Sequence, residues 1–241
     1  MTDNPNSTTD RRHFLGSIAS GAAALGIATL TPAMNLHAGE TNITANADDP
    51  DAWFKQIKGK HKMVFDATKP HEVFPFAWPK VYLLTNAATG TPEKESSAVV
   101  VLRHSAIAFA FEDRLWAKYN FAKMFKVESL GPAYQGADAA NTSSLTRNPF
   151  WKPKAGDFKM PGLGNLPIGI NELQASGVLF CVCNMAMTVY TNVVAGQMNM
   201  KPEDVMKDWL AGLLPGIQVV PSGVWAVGRA QEHGCQYCFT G

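Results

Sequence analysis

Gly177-Val178-Leu179-Phe180-Cys181-Val182-Cys183 is an uninterrupted apolar run that ends at the polar Asn184. A strand with one wet face alternates apolar and polar residues, so a continuous apolar run predicts burial on both faces. That is the condition of a parallel sheet covered by helices. Ala98-Val99-Val100-Val101-Leu102 has the same apolar character, and Ile217-Gln218-Val219-Val220, His61 to Asp66 and Cys235 to Phe239 complete five strand candidates. Longer amphipathic stretches separate them. Helices are expected over Phe76 to Ala88 with Pro79 in the first turn, Ala106 to Asn120, Asn171 to Ala175, Lys201 to Leu214 and Gly223 to His233. Pro202-Glu203-Asp204 suits a helix start, because proline needs no donor there and acids favour the positive end of the helix. Gly234 suits a helix stop.

The resulting order, β-α-β-α-β-α-β-α-β, predicts an α/β domain over residues 51–241. Its expected architecture is three-layer, with a five-stranded, mostly parallel sheet and right-handed crossovers. One region departs from this pattern. Ser129 to Gly169 is rich in Gly, Pro, Asn and Ser, with the isolated aromatics Tyr134, Phe150, Trp151 and Phe158. It reads as a long irregular insertion, either a functional loop or a surface loop packed by its own aromatics.

The first residues have a different purpose. Arg11-Arg12-His13-Phe14-Leu15 leads into a mildly apolar, Gly- and Ala-rich stretch to Leu30, and small-residue exits occur at Ala38 and Ala47. This pattern predicts a twin-arginine signal peptide and polar spacer over residues 1–47, with the twin-arginine translocase as an export partner and a periplasmic or otherwise exported product. Its removal leaves roughly 190 to 200 residues, enough for one domain with an insertion. The chain is 46% hydrophobic, and its 21 Lys plus Arg against 20 Asp plus Glu leave nothing to attract nucleic acid. No Gly-rich phosphate loop follows the first strand, so no nucleotide cofactor is expected.

Chemistry is expected at the carboxyl ends of the strands, where open α/β sheets bind ligands. His104 follows the second strand and Cys183 ends the third. A thiol that leaves a strand and faces the amino end of the next helix has its thiolate favoured by unpaired backbone donors. The alternative is a buried, inert thiol. Cys181 shares the face of Cys183 on the strand and lies deeper, as a structural residue or a resolving partner. In Cys235-x-x-Cys238 an extended strand would turn the two thiols to opposite faces, so a disulfide within the motif would need a turn. A second class of function is a metal-binding module for zinc or copper, using Cys235, Cys238, Cys181 and His233. Met185, Met187, Met198 and Met200 would serve as soft ligands or as core filler. A third is an oligomeric structural protein without activity.

Three stretches together resemble the DsrE/DsrF-like family of sulfur-relay proteins. They are Gly177 to Asn184, Leu214-Pro215-Gly216-Ile217-Gln218-Val219-Val220-Pro221-Ser222-Gly223-Val224, and Arg229-Ala230-Gln231-Glu232-His233-Gly234. The likeness extends over about Lys60 to Phe239, interrupted by the insertion. It implies a flavodoxin-like fold, a homo-oligomer, and a persulfide-carrying cysteine after the third strand, a position occupied here by Cys183. It also implies sulfur donor and acceptor partners, whether proteins or small sulfur compounds. The export signal, the three additional cysteines and the insertion are departures from the family pattern.

Overall fold

The computed structural model describes residues 51–241. The signal-peptide reading of residues 1–47 therefore lies outside the described residues. A parallel sheet forms from β1 (His61–Ala67), β2 (Ser96–Leu102), β5 (Leu179–Cys183), β6 (Ile217–Val220) and β7 (Gln236–Phe239). Its spatial order is β6-β5-β2-β1-β7, and every pairing is parallel. A short antiparallel hairpin, β3 (Lys159–Met160) and β4 (Gly164–Asn165), lies apart from it.

From β1 the chain steps through β2 and β5 to β6 in one direction, then returns to place β7 on the far side of β1. Right-handed crossovers made in one direction put their helices on one face, and a crossover in the reverse direction uses the other face. The packing follows that rule. The larger core joins Phe65, Val100, Leu102, Phe180 and Val182 of the sheet to residues of α1 (Phe74–Ala88), α2 (Asp113–Tyr119), α3 (Phe121–Met124), α4 (Ile170–Ala175), α5 (Asn184–Met198) and α6 (Pro202–Ala211). The smaller core joins Val64, Val99, Val101 and Cys181 to Ala226 and Ala230 of α7 (Gly223–Glu232), and to Phe54 and Ile57. The result is a three-layer α/β fold of the flavodoxin-like type.

Four local expectations are corrected. Pro79 is inside α1, and the proline at the start of that helix is Pro75. Ala106 to Asn120 is not one helix: His104–Ala110 is a 3-10 helix, Phe111 bridges to Leu213, and α2 begins at Asp113. Ser105 to Ala110 are all buried, so tertiary packing on every side replaces the amphipathic period of a surface helix. The helix expected over Lys201 to Leu214 stops at Ala211, and an additional helix, α5, precedes it. No helix among the described residues is long and apolar enough to cross a membrane.

The segment from Ser129 to Gly169 carries the β3–β4 hairpin in otherwise irregular chain, and it is built into the larger core rather than laid over it. Phe150 stacks on Phe76 with centroids 4.0 Å apart and on Phe158 at 4.8 Å. Asn148, fully buried, donates from Nδ2 to the carbonyls of Phe109 and Phe111 at 2.8 and 2.9 Å. Those carbonyls end the 3-10 helix that starts at His104, so the insertion pins the segment that carries His104.

Candidate functional site

The loops after β5 and β6 lead to opposite faces, β5 into α5 and β6 into α7, so the strand order offers a crevice between their carboxyl ends. Cys183 stands at that point, paired in register with Val220. At Cys183 the backbone leaves the pleat, with φ −75° and ψ 110°, and the residue becomes the N-cap of α5. Its Sγ accepts the backbone N–H of Ala186 at 3.3 Å. The sulfur thus takes the place usually filled by a Ser or Asp oxygen, against the positive end of a helix running from Asn184 to Met198.

Register brings a guanidinium to the same edge. Leu102 pairs with Val182, so the next residues, Arg103 and Cys183, leave the sheet side by side. Arg103 Nε and Nη2 donate to the two oxygens of Asp66 at 2.6 and 2.8 Å, a bidentate pair. Asp66 is only 2% exposed, and its Oδ2 also accepts from the Tyr237 hydroxyl at 2.8 Å. The hydrogen bonds to Asp66 hold the Arg103 proton more tightly than usual, against partial burial, and the nearby Tyr237 and Cys183 add to the effect at longer range. Gly223 at the start of α7 makes room for this arrangement: a Cβ there would fall 2.4 Å from the Cβ of Arg103.

His104 opens onto a neighbouring cleft of about 860 Å³, bounded by the loop after β1, the loop after β2, the end of α3 and one side of α5. His104 itself has φ +49°, a left-handed conformation unfavourable for a residue with a Cβ. Its ring lies edge-on to Tyr190 of α5 at 6.1 Å, and Nδ1 is 3.3 Å from the Ser105 hydroxyl. Arg103 also lines the cleft, whereas Cys183, 6% exposed, does not. Sequence reasoning placed His104 and Cys183 at one edge of the sheet, and they are there. It missed Asp66, Arg103 and Tyr237, for which a buried acid inside a strand was the available signal.

The other cysteines have different surroundings. All four are free thiols. Cys181 packs with the smaller core while Cys183 packs with the larger, so the common face expected from their spacing does not survive where the strand turns into α5. Burial pushes the Cys181 thiol well above its ordinary value, with Cys183 adding to the shift. Cys235 is pushed up to about 11 by burial, partly opposed by Lys62, and burial raises Cys238 as well. Cys235 belongs to the smaller core and Cys238 packs against the larger, the opposite faces that an extended strand imposes on i and i+3. Among the described residues no group of three or more His, Cys, Asp or Glu side chains converges to hold a metal ion, so Cys181, Cys235, Cys238 and His233 are not brought together as ligands. His233 instead stacks on Phe54 at 5.8 Å. No family model matches the chain, and no curated protein matches it.

Proposed function

We propose that the chain is an exported, DsrE-like sulfur carrier in which Cys183 takes up sulfane sulfur from a donor and hands it to an acceptor. The observation that carries this reading is the seat of the Cys183 sulfur at the first turn of α5, accepting the N–H of Ala186 at 3.3 Å beside Arg103. A negatively charged sulfur, whether thiolate or persulfide, is complementary to a helix N-terminus and a neighbouring guanidinium. In the uptake step the Cys183 thiolate attacks the outer sulfur of R–S–SH. A new S–S bond forms, the old one breaks, R–S⁻ leaves, and Cys183 holds S–SH, with no net oxidation or reduction. Delivery is the reverse reaction with an acceptor thiolate. Low exposure protects the persulfide from adventitious thiols, and His104 borders the neighbouring cleft.

Export through the twin-arginine translocase to the periplasm, and assembly into a homo-oligomer, belong to the same proposal. They rest on Arg11-Arg12 and on the family likeness. The test is to incubate the mature protein with an organic persulfide, alkylate it and map the adduct by mass spectrometry. One additional sulfur on Cys183 in the wild type, lost in Cys183→Ser and kept in Cys235→Ser, is the expected result. Undiminished loading of Cys183→Ser defeats the assignment.

A further inference from the structure

The cleft onto which His104 opens has a composition of its own. Lys69 enters from the loop after β1, His104 from the loop after β2, and Lys126 from the turn after α3, while Phe125 and Tyr190 supply an aromatic wall with rings 4.8 Å apart. Among the described residues neither lysine is in an ion pair, whereas Arg103 is held by Asp66. Glu128 is the one acid in the lining. Lys126, like His104, is a non-glycine residue at positive φ, here +55°, so two of the cleft's polar side chains are presented by unfavourable backbone conformations.

From this we infer that the cleft receives the sulfur donor, and that the donor is a small organic persulfide bearing carboxylates. The inference rests on Cys183 as the carrier. Two unpaired ammonium groups with the imidazoles of His71 and His104 select an anion, and their arrival from three separate loops suits carboxylates spaced along a molecule rather than one compact charge. A volume of about 860 Å³ lies in the range of sites for organic ligands and greatly exceeds the needs of an inorganic sulfur oxyanion. Phe125, Tyr190 and Met124 give an apolar surface for the carbon skeleton. Arg103 lines the cleft and follows β2 at the position next to Cys183, so it is the residue that links the cleft to the carrier cysteine.

Isothermal calorimetry with glutathione, a peptide thiol with two carboxylates, tests binding apart from transfer. Thiosulfate provides the inorganic arm. Glutathione should bind the wild type and Cys183→Ser alike, weaken with added salt, and lose about tenfold or more in affinity in Lys69→Glu with Lys126→Glu. Both lysines are exposed, and Lys69→Gln with Lys126→Gln should fall between wild type and reversal, which separates charge from misfolding. Absence of glutathione binding, binding indifferent to the reversals, or binding of thiosulfate alone overturns the inference. A protein that binds glutathione but takes no sulfur from glutathione persulfide onto Cys183 overturns the carrier reading and the donor role with it, while the isotherm remains as evidence of an anion site.

Discussion

Cys183 leaves β5 as the cap of a helix, with a backbone donor on its sulfur and a guanidinium one strand away. Cys235 enters β7 beneath α7, in an apolar cluster that raises its thiol to about 11. Both residues are almost fully buried, at 6% and 4% exposure, so accessibility does not separate them. What separates them is the partner atom: the N–H of Ala186 at a helix end for one, an apolar cluster with Lys62 in its neighbourhood for the other. Reactive thiols are distinguished by electropositive surroundings and inert ones by apolar surroundings, so a count of cysteines says little until each is placed. Cys181 sharpens the lesson, because it sits two residues from Cys183 on the same strand and faces the apolar cluster.

The strongest way to break this contrast is to remove the charge beside Cys183. In Arg103→Met the buried Asp66 carboxylate keeps only the Tyr237 hydroxyl as a side-chain donor. Stranding a buried charge in this way costs about 3 kcal/mol, read as a lower urea midpoint. Persulfide loading of Cys183 should fall with it. Asp66→Asn with Arg103→Met removes both charges and should recover much of the stability without recovering the loading. If loading returns together with stability, Arg103 acts on the fold alone and contributes nothing to the sulfur site.

That pair also marks the limit of what the sequence disclosed. The two central strands were legible because their apolar runs, Ala98 to Leu102 and Gly177 to Cys183, have few alternatives in a domain of this size, and their ends located His104 and Cys183. Arg103 was not read as part of the site, since its role depends on β1 and β5 lying on either side of β2. The helix α5 was hidden by its own composition: Thr188, Val189, Thr191, Val193 and Val194 are β-branched and disfavour a helix locally. Tertiary contact overrides that preference, with Met187, Thr191, Val194 and Ala195 buried along one side. Lys69 and Lys126 belong to separate loops, so nothing in the linear sequence joins them. The role of Asn148, which binds two carbonyls nearly forty residues away in sequence, is equally a product of the fold.

A smaller effect is expected at Cys181. The side chain is fully buried and its thiol is driven toward the neutral form, so Cys181→Ser places a hydroxyl in a space with hydrocarbon around it. The cost is about 1 to 3 kcal/mol of stability. Loading at Cys183 should be unchanged once the variant is measured well below its unfolding midpoint. Loss of loading there would make Cys181 a resolving thiol for Cys183 and would erase the distinction drawn between the two residues of β5.

The smallest effect concerns alkaline stability and the other end of the comparison. Folding raises the Cys235 thiol from its ordinary 9.0 to about 11, chiefly through burial. Between those values the unfolded chain has lost the proton and the folded one has kept it, so fewer protons are bound in the unfolded state and stability falls as pH rises. The contribution is complete below about pH 9 and is lost through about 11. Urea midpoints measured across this window should decline in the wild type and decline less steeply in Cys235→Ala, leaving the share due to the other thiols that burial raises, Cys181 and Cys238. An alkaline limb as steep in Cys235→Ala as in the wild type would show that this buried thiol does not couple folding to pH.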